Sequence, residues 1–177
     1  MKKIMTILFS LILLTVSCKN EITGIDKTVV KSFNINKYLG TWYEIARFNH
    51  KFEQDLVGVT ATYSYRRDGK IKVENSGFKG NLDGKKSYAT GKAKIPDLNV
   101  PSKLKVSFFM FFYGDYLIME LDKNYKWAVV GSSSDNYLWI LSRTPQIEES
   151  LYNQILLKIR ERGYDTKKLI RVVQKED

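Results

Sequence analysis

The chain has 177 residues, 44% of them apolar and 13% aromatic, which is enough for one core and fits a single domain. Its 29 basic residues outweigh 19 acidic ones for a formal net charge of +10, but there is no basic run of the kind that grips nucleic acid. A single cysteine rules out an intramolecular disulfide framework.

The first residues read as an export signal. Met1-Lys2-Lys3 is a positive n-region, and Ile4 to Val16 is an almost unbroken apolar stretch, short for a transmembrane helix and right for a signal peptide. Leu14-Thr15-Val16-Ser17-Cys18 resembles the lipobox of bacterial lipoproteins, with Thr15 where an aliphatic residue is usual. The resemblance implies that residues 1–17 are removed and that Cys18 becomes a diacylglycerol-bearing N-terminus. A plain signal peptide cut nearby is the alternative. With Cys18 acylated, no thiol is left as nucleophile or metal ligand. Removing Lys2 and Lys3 leaves 27 basic against 19 acidic residues, a net charge of +8, read as a solvated surface with a weak pull towards anionic headgroups. Lys19 stands where an aspartate would favour inner-membrane retention, so the expected location is the periplasmic face of the outer membrane.

Residues 18–36 read as a lipidated N-terminus and polar tether, and residues 37–177 as the domain. Short strands with turns between them begin at Thr41 to Phe48. In Val57 to Tyr65, Val59, Ala61, Tyr63 and Tyr65 alternate with Thr60, Thr62 and Ser64, as in a half-buried strand. Asp68-Gly69 supplies a hairpin turn into Ile71 to Gly77. Tyr88 to Lys94, Leu104 to Phe108, Asp115 to Leu121, Lys126 to Ser132 and Tyr137 to Ser142 complete a series of eight strands, a number that can close an antiparallel sheet. The period then changes: Thr144-Pro145 reads as an N-cap with proline at the first helical position. Ile147, Leu151, Ile155 and Ile159 form one apolar stripe, and Gly163 ends the helix. Leu169 to Val173 reads as a last short strand.

Three segments carry a family resemblance. Lys37 to Arg47, built on Gly40-x-Trp42, looks like the first lipocalin signature; Leu121 to Tyr125 is similar to the second; Tyr137 to Pro145, with Arg143 leaving the last strand, resembles the third. The likeness runs from about Tyr38 to Val173 and is closest to the bacterial outer-membrane lipoprotein branch, kin to apolipoprotein D and temperature-induced lipocalins. It implies an all-β fold, an eight-stranded antiparallel up-and-down barrel with one C-terminal α-helix packed on its outside. It also implies structural work for the signature residues. Gly40 permits a sharp entry, Trp42 plugs the closed end under Arg143, and Asp122 and Tyr125 order a turn.

The resemblance further implies binding and transport or storage of a small apolar ligand, a fatty acid or lysophospholipid, in the barrel. If Arg143 points inward, so do Leu141, Trp139 and Tyr137; alternation nominates Val59, Ala61, Tyr63, Val73, Asn75, Val106, Phe108, Trp127 and Val129 as well. Each of these residues could equally be plain core. Glu120 could face solvent or the pocket; the run Phe108 to Tyr113 could fold over the barrel, form a partner surface or touch the membrane, and a core role for half of it is the first expectation. His50, the sole histidine, is assigned to loop packing, with no cofactor, metal or catalytic residue expected. The alternative is an enzyme acting on a lipid in the same cup. Monomer and homodimer both stay open.

Overall fold

The computed structural model describes residues 24–175; Cys18 and the expected signal peptide lie outside the described residues. Eight strands run in chain order: β1 Gly40–Phe48, β2 Leu56–Tyr65, β3 Ile71–Lys79, β4 Lys86–Lys94, β5 Lys103–Phe109, β6 Phe112–Leu121, β7 Trp127–Gly131 and β8 Leu138–Ser142. Each pairs antiparallel with the next, and β1 pairs with both β8 and β2, closing the sheet into a barrel. A ninth strand, β9 Leu169–Arg171, joins the far half of β1 at Ala46–Phe48, beyond the Gly40–Tyr43 stretch that pairs with β2.

Two apolar layers hold this arrangement. Inside the barrel, Trp42, Tyr63, Val73, Leu104, Ile118 and Val130 share one cluster. Outside, helix α2 (Glu149–Glu161) presents Tyr152, Ile155 and Ile159 to Ile45, Met119, Val129 and Ile140. The stripe of four-residue spacing thus lies on the outer face of β1, β6, β7 and β8. Those strands are consequently apolar on both faces.

Bulges adjust the faces. Between β6 and β7 the register passes from Ile118↔Val130 to Glu120↔Val129, so Met119 is the extra residue; between β1 and β8 it is Ile45. Both side chains reach the outer layer. Glu120 follows Met119 outward to Arg162, whose Nε donates to Oε1 at 2.8 Å, and so lies away from the cavity.

Three expectations are corrected. Residues 24–36 are packed along the barrel: Val30 N–H donates to the Ile118 carbonyl at 3.0 Å, Ser102 Oγ donates to the Val30 carbonyl, and Ile35–Tyr38 form a short helix, α1, under the closed end. The outer helix starts at Glu149, four residues past Pro145, because Thr144 folds locally instead: its hydroxyl donates to the Gln146 carbonyl at 2.6 Å and its N–H to Ser142 Oγ. At the other end Gly163 takes the left-handed conformation, φ +89°. Finally, the aromatic run from Phe108 forms a tight hairpin, Phe109 paired with Phe112, and Phe109 to Phe112 are exposed rather than core.

Candidate functional site: the barrel cavity

The closed end is sealed by interlocking signature residues. Trp42 is fully buried, its Nε1 donating to the Tyr38 carbonyl at 2.8 Å. Arg143 leaves β8 and lays its guanidinium 3.9 Å from the Trp42 ring centre, while donating to the carbonyls of Thr41, Lys37, Tyr38 and Leu39. Those carbonyls belong to the end of α1 and the start of β1, ahead of the point where β1 begins to pair with β8 at Tyr43. Gly40 has φ +95°, and a Cβ there would sit 3.3 Å from Arg143 Nη1, so the position requires glycine. Asp122 accepts from the N–H groups of Asn124 and Lys126, and the Tyr125 hydroxyl accepts from Asn34 N–H at 2.7 Å. The second signature therefore holds the start of α1 in place.

Above this plug lies a cavity of about 650 Å³, open at the far end of the barrel. That volume is ordinary for a small-molecule site, and the wall is mostly apolar. Val59, Ala61, Tyr63, Val73 and Asn75 line it from β2 and β3. Val106 and Phe108 contribute from β5, Tyr137 from just before β8 and Trp139 from β8 itself. Val129 does not. Its cross-strand partner is Ile140, and both face α2, as does Trp127; Ala128 and Val130 are the inward residues of β7. Directly paired residues share a face, so the phase set by Trp139 and Leu141 would have assigned Val130 and Ala128 correctly.

The floor is polar in one spot. Tyr116 Oη lies 2.7 Å from Tyr38 Oη and 2.8 Å from Tyr63 Oη. Burial pushes all three phenols well above their usual range, so they are neutral. Three hydroxyl protons serve two bonds, which leaves one donor for a ligand. Asn75 Oδ1 is also buried and without a partner among the described residues.

One side of the wall carries a charged cluster. Arg47, 2% exposed, donates from Nη1 to Glu44 Oε1 at 2.7 Å and from Nη2 to the carbonyls of Glu53 and Leu56. Glu53 Oε2 accepts from Trp139 Nε1 at 3.1 Å and lies 3.0 Å from His50 Nε2. Burial raises the Glu44 carboxyl well above the ordinary range, helped by the Glu53 charge and opposed by Arg47. Burial also pushes Glu53 up, but the His50 and Trp139 hydrogen bonds outweigh it and hold Glu53 below that range. Arg47 and Glu44 thus form the buried pair of this wall, with Glu53 tied beside it to His50 and Trp139.

His50 belongs to this wall. Its ring packs 5.3 Å from those of Tyr137 and Trp139, lines the cavity, and leaves Nδ1 without a partner. Sequence reasoning placed it in a packing loop and passed over Glu44, Glu53 and Tyr116. The spacing Glu44-x-x-Arg47, two opposite charges in a strand otherwise rich in apolar residues, was the available signal.

A lipocalin-like domain model matches residues 33–174 of this sequence. The chain belongs to the lipocalin family. Members of this family bind small hydrophobic ligands. The outer membrane lipoprotein Blc of Escherichia coli (strain K12) is 44% identical over 162 residues, covering 91% of this lipocalin and 90% of that protein. Temperature-induced lipocalin-1 of Arabidopsis thaliana is 39% identical, covering 85% and 84% of the two chains. Among solved structures, insecticyanin from the tobacco hornworm Manduca sexta superposes with a TM-score of 0.68 at 23% identity, over 85% of this chain and 86% of that one. That last likeness concerns the barrel alone.

Proposed function

We infer that this lipocalin binds a fatty acid or lysophospholipid in its barrel and carries or stores it at the periplasmic face of a bacterial outer membrane, held there through acylated Cys18. The observation that carries the ligand class is the cavity: about 650 Å³, one open end, an apolar wall and a few polar groups at the floor and side. The location rests on the signal peptide ending at Ser17-Cys18 and on the 44% identity to a protein named as an outer membrane lipoprotein.

An acyl chain fits this geometry better than a compact polar metabolite, because the wall has few donors and acceptors to replace water. The enzyme alternative would centre on His50 and Glu53. Neither ring nitrogen of His50 has a serine or threonine hydroxyl as partner among the described residues, so nothing marks a nucleophile for that pair to activate.

The deciding experiment fills the cup. Ala61 lies on the inward face of β2, opposite Asn75. Ala61→Trp is expected to abolish binding of a fluorescent fatty acid while the barrel stays folded by circular dichroism. Mass spectrometry of lipid retained by the wild type should show intact ligand in stoichiometric amount and no product. A wild type that retains no lipid and binds no probe would end the carrier reading; accumulating product would favour the enzyme.

A further inference from the structure

The hairpin between β5 and β6 is built against ordinary folding logic. Met110 opens a two-residue turn at φ +46°, the conformation for which glycine or asparagine is the usual occupant. The side chains it presents are among the most apolar in the chain: Phe109, Met110, Phe111 and Phe112 are all exposed, Phe111 by 81%. Phe52, on the rim loop between β1 and β2 across the mouth, is 82% exposed. Both loops stand at the open end, and Phe52, Phe108, Phe109 and Phe112 border the cavity mouth. An apolar hairpin of this size, faced across the mouth by an exposed phenyl ring, is not left to water without a use.

The wall beside the hairpin is also incomplete. β4 pairs with β3 through eight positions, from Ile71↔Ala93 to Phe78↔Lys86, but with β5 through only three, Lys92↔Ser107 to Lys94↔Lys105. Above Lys92 the two strands part, and Ala89, although it lines the cavity, is exposed. The gap is flanked by the hairpin and by Tyr88. Lys92 and Lys94 lie beside it, with Lys92 Nζ 5.8 Å from the Phe111 ring and Lys94 Nζ 4.7 Å from the Tyr113 ring.

The start of the described chain says which surface meets this rim. Gly24 packs beside Gly163, and Lys27 bonds the Ser133 carbonyl and Asp135 in the loop between β7 and β8, also at the open end. From there the segment runs down the wall to Asn34 at the closed end. Only five residues lie between Cys18 and Gly24, a reach of at most about 20 Å. An anchor at Cys18 therefore keeps the open-end side of the barrel within reach of the bilayer.

We propose that the β5–β6 hairpin and Phe52 insert into the phospholipid bilayer that holds the anchor, so that an acyl chain passes between membrane and cavity through the mouth and the β4–β5 gap without crossing water. The lysines beside the hairpin then meet the headgroups while the phenyl groups enter the acyl layer. The orientation rests on the acylation of Cys18 inferred above.

The test uses the mature acylated protein in vesicles of phosphatidylethanolamine and phosphatidylglycerol with brominated acyl chains. Phe111→Trp places a fluorophore at the hairpin tip, and Lys123→Trp places one in the turn between β6 and β7 at the closed end. With the native tryptophan signal subtracted, Phe111→Trp should be blue-shifted and quenched by bromine, and Lys123→Trp should be neither. An unquenched hairpin would overturn the proposal, as would equal quenching at both ends. A hairpin that is blue-shifted but unquenched, in a protein sedimenting as a dimer, would mean that a second copy covers it, and would also overturn insertion. Double replacement of Met110 and Phe111 by Ser, neither of which lines the cavity, should slow loading of a fluorescent fatty acid from vesicles by about tenfold or more, the scale set by withdrawing two large apolar side chains from lipid. The same variant should fill to normal capacity when the probe is given in solution; unchanged loading from vesicles would contradict the portal. If the wild type takes up probe from neither source, the carrier reading fails while the quenching result decides insertion by itself.

Discussion

Single residues account for most of what seals and tunes the cup. Trp42→Ala is expected to cost about 3–5 kcal/mol, as for other fully buried large aromatics, measured as a lowered denaturation midpoint. Arg143→Ala should cost less than Trp42→Ala yet remain clearly measurable, because it strips partners from the carbonyls of Lys37, Tyr38, Leu39 and Thr41 together. An unchanged midpoint for either variant would remove the plug from the account. Glu44 makes a pH prediction. Its folded carboxyl titrates above the unfolded one, so the stability it contributes is present below the ordinary carboxylate range and lost as pH rises through the folded value. Glu44→Gln should therefore flatten the decline of stability as pH rises above the ordinary carboxylate range, and match wild type best at acidic pH. Glu53 has the opposite sign: its contribution is present above the ordinary range and lost on acidification, so Glu53→Gln should soften acid unfolding. At this scale the sequence was legible wherever alternation was tied to a fixed point. Trp139 and Tyr137 were phased from Arg143 and line the cavity, whereas Val129 was phased by itself in a strand apolar on both faces and went to the wrong side. The reach of His50 into the mouth depends on how its loop folds back onto β8, which no local pattern encodes.

Elements were more legible than side chains, because period and turn chemistry are local properties. All eight barrel strands appear within a few residues of their expected ends, and β9 follows Thr166–Lys168 as a short edge addition. What escaped were elements defined by their neighbours. Helix α1 is a single turn, too short to carry a period, and exists because Asn34 Oδ1 accepts from Asn36 N–H and because Arg143 and Tyr125 take up its ends. The delayed start of α2 reflects Thr144 bonding within its own turn, an option that propensity alone does not weigh. Helix α2 also offers a direct test of the outer layer. Ile155 is fully buried against the barrel, so Ile155→Ala should lower stability by about 2–5 kcal/mol while leaving ligand capacity intact, read by denaturation and probe titration on the same sample. Loss of capacity at full stability would mean that the helix face and the lumen are not the separate layers described.

At the scale of the whole molecule, barrel, helix and family were readable from three ordered signatures and one change of period, whereas the cavity's charged side and the aromatic rim were not. Both exceptions work against burial of apolar groups, and patterning reasons from that burial. The anchor supplies the last prediction. Cys18→Ser should move the protein out of the outer-membrane fraction, and intact mass of the wild type should show the added acyl groups; a variant that fractionates like an unmodified wild type would exclude the lipoprotein. The closure through β1 carries a kinetic corollary. Residues 40–48 must find residues 138–142 and 169–171, so the pairings that complete the barrel join segments about a hundred or more positions apart. Contacts of such sequence separation place folding in the slow regime of millisecond-to-second closure, and no subset of early strands can complete it. A chain emerging N-terminus first across a membrane therefore keeps the outer edge of β1 open until β8 arrives, offering that edge to any chaperone or neighbouring chain in the meantime.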